Sequence, residues 1–141
     1  MDREQALRDL STADGITERV RRRGTWYAGF CAEAAVASVA CTFAIGMSPA
    51  PWGPGVATGV LIAAFLALTV YGVRQPVSPR GFAAWHTGSM AAWGALYATA
   101  LAVGMTAFPG EASWWLPAAA ATALPFLAAG AAALRAARRP A

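Results

Sequence analysis

Lysine is absent from this 141-residue chain, histidine occurs once, cysteine twice, and only 13% of the residues carry a charge. Each shortage excludes something. One histidine and no Cys-x-x-C pair leave no ligand set for a zinc or iron–sulfur site, and no haem held by two histidines. Cys31 and Cys41 stand ten residues apart on one predicted helix, roughly 15 Å, too far to bridge each other, and read as packing residues. No nucleophile–base pair, metal set or carboxylate pair is visible, so no enzymatic activity and no cofactor are expected. The interior of so small a soluble domain could not hide a composition that is 57% hydrophobic. With Ala and Gly abundant and all 11 basic residues arginine, the missing lysine reads as coding bias.

What is present is organised around Arg21-Arg22-Arg23-Gly24-Thr25-Trp26-Tyr27. Three arginines stop abruptly, an aromatic pair follows, and Ala28 to Met47 then carries a single charge, Glu33. That pattern predicts a membrane-spanning helix entering from the side where cations stay, because only a helix satisfies its own backbone in lipid. Residues 1–24 read as a cytoplasmic amphipathic arm. Ala6, Leu7 and Leu10 form one short apolar face, Ser11 to Gly15 a break, and Ile16 and Val20 a second short helix. The arm is too long and too acidic for the basic region of a signal peptide.

Four spans follow within residues 25–134: Trp26 to Met47, Gly55 to Val73, Phe82 to about Phe108, and Trp114 to Leu134. Turns rich in proline or glycine separate them, and residues 135–141 form a basic tail. The expected fold is an all-α integral membrane four-helix bundle. The arm holds six arginines, the second turn two and the tail three; the other two turns hold none. The positive-inside rule therefore places both termini in the cytoplasm of a bacterial cell, with Arg21, Arg22, Arg23, Trp26, Tyr27, Arg74 and Arg80 at the membrane interface. Arginines that flank lipid spans without interleaved aromatics argue against nucleic acid and for the anionic leaflet as their counter-charge.

Ala44-Ile45-Gly46-Met47 resembles Ala102-Val103-Gly104-Met105 at an offset of 58, and Arg23-Gly24 matches Arg80-Gly81 at 57. Two hairpins related by an axis along the membrane normal would explain this, and chance likeness in Ala-rich sequence is the competing reading. Gly55 and Gly59, and Gly94 with Ala98 and Ala102, are spaced for close helix packing within the bundle or in a homo-oligomer. Pro125 leaves the carbonyl of Ala121 without its helical partner, which predicts a kink.

Candidate chemistry comes down to Glu33, seven residues past Trp26 and so roughly 10 Å along the helix. Its neighbours at helical spacing, Gly29, Ala37 and Ala40, predict a small-residue stripe facing other helices. A carboxylate there needs a partner or a proton. His86 is the first candidate, with Trp93 and Tyr97 on the same face of the third span, a water, or Arg80 as alternatives. Glu33 is then either a satisfied buried group holding two spans in register or a proton or cation site.

A membrane acid in the first of four short spans, with the pair Ala32-Glu33, resembles the small multidrug resistance transporters. That family's usual plan lacks the arm, and the charge bias here argues against its inverted dimers. Arg22-Arg23-Gly24-Thr25-Trp26-Tyr27 together with Arg80-Gly81-Phe82 and His86 resembles small four-helix membrane proteins of actinobacteria, of unassigned function, some encoded beside winged-helix regulators. The resemblance implies a plasma-membrane location and no assigned activity. The expected function is a non-catalytic accessory or regulatory membrane component, with a cytoplasmic or membrane protein partner docking on residues 1–24. The alternative is a small proton-coupled transporter or efflux subunit using Glu33.

Overall fold

The structure, a computed structural model, describes residues 3–5, 7, 8, 10–13, 15, 25–48, 51–79 and 81–138. The expectations for Arg21, Arg22, Arg23 and Arg80, and for a second short helix at Ile16 and Val20, lie outside the described residues. Four long helices carry the fold: α1 (Trp26–Met47), α2 (Trp52–Val73), α3 (Phe82–Ala107) and α4 (Ala112–Arg138). All four are long and apolar enough to cross a membrane. The shortest has 22 residues, about 33 Å of rise, against a hydrocarbon core of about 30 Å.

Local chemistry sets the ends. Ser48 precedes Pro49, which disfavours helical backbone before it, and Ser48 is extended (φ −85°, ψ 144°) while its N–H still caps Ala44. The second helix starts at Trp52 rather than Gly55, because Pro54 then falls within the first turn, where no backbone donor is needed. Gly81 and Gly110 both take φ 74°, a left-handed turn that side chains disfavour, just before α3 and α4. The last helix runs to Arg138, carrying Arg135 and Arg138 in its final turn, and continues as one helix through Pro117 and Pro125. In the arm, Ser11, Thr12, Ala13 and Gly15 are helical, so the described residues of the expected break show none. The Ser11 and Thr12 hydroxyls donate back to the Arg8 carbonyl, bonding their own helix instead of capping a new one.

The bundle is built on its first and last helices. An antiparallel α1–α4 pair forms the most extensive contact; α2 lies against α1 and α3 against α4, while α1 and α3 touch only lightly. The α1–α4 seam runs from Cys31 against Gly130 at one end, through Ser38 and Thr122, to Gly46 against Trp115 at the other. Tyr27, Phe30, Cys31 and Ala34 of α1 and Ala123, Phe126 and Ala129 of α4 make the core. The Phe65 ring of α2 reaches over to stack on Trp93 at 4.8 Å and lean on Phe126 at 5.9 Å. Along its outer side α2 exposes Val56, Val60, Ile62, Leu66 and Val70, a surface that suits lipid and that water would penalise.

A two-hairpin repeat would make the α1–α4 and α2–α3 contacts equivalent. They are not: the first is the largest in the molecule, and the second is absent or minimal. The likeness around Gly46 and Gly104 is instead local. Both glycines flank the fully buried indole of Trp115, and a Cβ on either would overlap that ring. The two similar segments resemble each other because each leaves room for one tryptophan.

Candidate functional site

Glu33 is exposed, not buried. The inward face of α1 is Tyr27, Phe30, Cys31, Ala34, Ser38, Cys41 and Ile45, and Glu33 lies about 120° around the helix from Tyr27. Gly29 and Ala40 share this outward side, and a Cβ at Gly29 would meet nothing within 4 Å. The small-residue stripe thus looks away from the bundle. In a helix where Ala and Gly occur on every side, small size does not mark the packed face.

The carboxylate opens into a groove of about 770 Å³ between α1 and α2. Gly29, Phe30, Ala32, Glu33, Val36 and Ala37 line it from α1, and Ala64, Ala67, Leu68 and Tyr71 from α2. Alanine and glycine on both walls leave the space that larger side chains would fill, and the buried Leu68 and Phe30 close its floor. Glu33 is its only charged group. Among the described residues, no hydrogen bond or ion pair reaches Glu33; the one ion pair is Arg8–Glu4 in the arm.

His86 is held elsewhere. Its ring stacks on Phe82 at 5.1 Å and meets Phe30 and Tyr27 edge-on at 5.7 and 6.2 Å, and its Nδ1 is buried with no hydrogen-bond partner. The expected Glu33–His86 pair does not form: His86 packs beside Tyr27 and Phe30, and Glu33 lies about 120° around α1 from Tyr27. Trp93 and Tyr97 are half-buried and stack on each other at 5.1 Å. Trp93 is satisfied by a different residue: its Nε1 donates to Ser38 Oγ at 2.7 Å. Ser38 donates to Thr122 Oγ1 at 2.8 Å, and Thr122 to the Ala119 carbonyl at 2.7 Å. This relay links α1, α3 and α4 and gives the bundle the polar register that Glu33 was expected to supply. Its sequence signal was a lone Ser and a lone Thr on the inward faces of two alanine-rich helices.

The interface residues divide as well. Arg74 is exposed at the end of α2. Trp26 sits at the arginine-rich end, among Tyr27, Phe30, Tyr71 and Phe82, and its Nε1 donates to the Val77 carbonyl at 2.8 Å, pinning the α2–α3 turn. Tyr27, expected at the interface, is 1% exposed with its hydroxyl unpaired. Facing the core places it there, one residue around from Trp26. Of the glycines expected to pack helices, a Cβ at Gly55, Gly59 or Gly94 would meet nothing within 4 Å, so none makes a close approach within the chain. The close approaches between helices are at Gly46, Gly104 and Gly130, and Gly53 leaves room for Ser48 at the α1–α2 turn.

No known protein family matches the chain, and comparison with curated proteins and with solved structures yields no significant match. The functional reading rests on the groove and the surfaces around it.

Proposed function

We propose that this chain is a multi-pass integral protein of a bacterial plasma membrane, with both termini in the cytoplasm, that acts as a non-catalytic accessory or regulatory component for another membrane protein. The observation that carries this reading is Glu33: a carboxylate within a span, exposed in an apolar groove, with no partner among the described residues. A bundle that needed the carboxylate for its own stability would have enclosed it. Arg74, Arg135 and Arg138 lie at one end, and the exposed aromatics Trp85 and Tyr71 at the same end suit a headgroup belt. The arm supports docking too, since Leu7 and Leu10 are exposed together one turn apart on a helix.

Two measurements test this. A cysteine at Ser48 should label from outside the cell and one at Ser78 only after permeabilisation; the reverse would overturn the orientation. Co-purification from native membranes should recover a partner with the full chain and less of it without residues 1–10. The groove volume favours a second reading, since about 770 Å³ falls within the range of small-molecule sites. On that reading the chain is a proton-coupled transporter or efflux subunit, and Glu33→Gln should abolish substrate uptake in liposomes while leaving partner recovery unchanged.

A further inference from the structure

We infer that the α1–α2 groove is the seat of a membrane-spanning helix from a different polypeptide, carrying one arginine or lysine at the depth of Glu33. The inference rests on the accessory reading and deepens it. The trough extends along α1 from Gly29 to Ala37, about 12 Å, and along α2 from Ala64 to Tyr71, about 10 Å, the length of two helical turns. Gly29, Ala32, Ala37, Ala64 and Ala67 keep its walls low, which lets a third backbone approach closely, the geometry that membrane helices use in place of a hydrophobic drive.

Charge selects the occupant. A carboxylate at this depth in lipid requires a cation or a proton, and among the described residues none supplies the cation. No basic residue occurs in α1 or α2. The histidine of α3 stands in the aromatic cluster on the inward side of α1, and α4 carries arginine only in its last turn. Arg74, one turn beyond Tyr71 on α2, forms no ion pair with Glu33. At the depth of Glu33, the described helices of a second copy would bring either its own Glu33 or an uncharged face, since their arginines stand at the helix ends. The complementary charge therefore comes from another protein, and a guanidinium or ammonium on an otherwise apolar helix supplies it at that depth.

The test uses the full chain in vesicles of phosphatidylcholine and phosphatidylglycerol, with a synthetic spanning peptide of leucine and alanine flanked by arginines. One peptide carries a single lysine seven residues in from its cytoplasmic end, and the reference peptide carries leucine there. Energy transfer between labelled chain and peptide reports binding. The lysine peptide should bind about tenfold more tightly than the leucine peptide. Glu33→Gln should erase the difference, Arg74→Gln should preserve it, and Ala67→Phe, which fills the trough, should weaken both peptides. Glu33→Lys should transfer the preference to a peptide carrying aspartate. Equal binding of the two peptides, a preference that survives Glu33→Gln, or a dimer of the full chain lost in Glu33→Gln would each overturn the proposal. A native partner retained by Glu33→Gln sinks the groove and leaves the accessory reading standing. A lysine preference in vesicles with no native partner supports the groove and sinks the accessory reading.

Discussion

Replacing Gly46 by alanine adds one methyl group to the chain, and the structure predicts a large penalty for it. The new Cβ would fall inside the six-membered ring region of Trp115, against Cδ2, Cε2 and Cε3. The indole has nowhere to retreat. It is 1% exposed, its Nε1 is tied to the Phe108 carbonyl at 3.0 Å, and on its other side a Cβ at Gly104 would already lie within 2.5 Å of Cζ2. Carbon atoms rest about 3.5–4.0 Å apart, so the overlap exceeds about 1 Å and α1 must move away from α4 or the ring must leave its well. Overpacking of this kind costs roughly 1–3 kcal/mol, and more where the seam itself opens. Equilibrium unfolding of the purified protein in mixed micelles measures it. Gly46→Ala and Gly104→Ala should each destabilise by about that amount, and Trp115→Leu should recover part of the Gly46→Ala loss by vacating the space. Gly55→Ala and Gly59→Ala, whose Cβ atoms meet nothing within 4 Å, serve as references and should be neutral or slightly stabilising. A Gly46→Ala variant as stable as Gly55→Ala, or a Trp115→Leu change that gives no relief, would refute the sandwich.

Three further outcomes are expected. Ser38→Ala removes the acceptor of the Trp93 indole and the donor to Thr122, so it should destabilise by about 1–3 kcal/mol, whereas Thr122→Ala, which leaves Trp93 bonded, should cost less; the ordering is read in the same micelles. Trp26→Phe keeps the aromatic packing and deletes the bond to Val77, so proteolysis or hydrogen exchange of the turn at Gln75 to Pro79 should accelerate while the global midpoint moves little. Glu33→Gln should leave the unfolding midpoint of the isolated chain unchanged, since no partner among the described residues depends on the carboxylate; a clear loss would reveal an intramolecular role.

Helix positions were legible because each follows from a local rule. Met47 ends α1 since Ser48 precedes Pro49, and Val73 ends α2 just before the polar turn that carries Pro76 and Pro79. The helix faces were not legible. In α1, Gly29, Ala37 and Ala40 look outward, while Ala34, Ala35 and Ser38 look inward. Hydropathy and size hardly differ between the two sets, because lipid and a tight helix seam both accept small apolar residues. Trp115 could have broken the tie, as a large residue needs a glycine facing it. The pairing Gly46–Trp115–Gly104 joins three helices, however, and appears only once the helices are placed. Glu33 was recognisable as the anomalous residue of its span, but which way it points depended on those same helix faces.

The seam between α1 and α4 has a consequence for how the protein is made. Ser38 and Thr122, which meet across it, are separated by 84 residues of chain. While the first two helices emerge, the inward side of α1, with Tyr27, Ser38 and Thr42, has no mate; α2 covers another side. The hairpin of α1 and α2 is therefore an unfinished product: α3 brings Trp93 to Ser38 and Phe82 to Tyr27, and only α4 closes the seam. A chain that stops before Ala112 would retain three helices long and apolar enough to cross a membrane and lack the wall that closes its core, which makes the last helix the checkpoint between helices formed and a bundle folded.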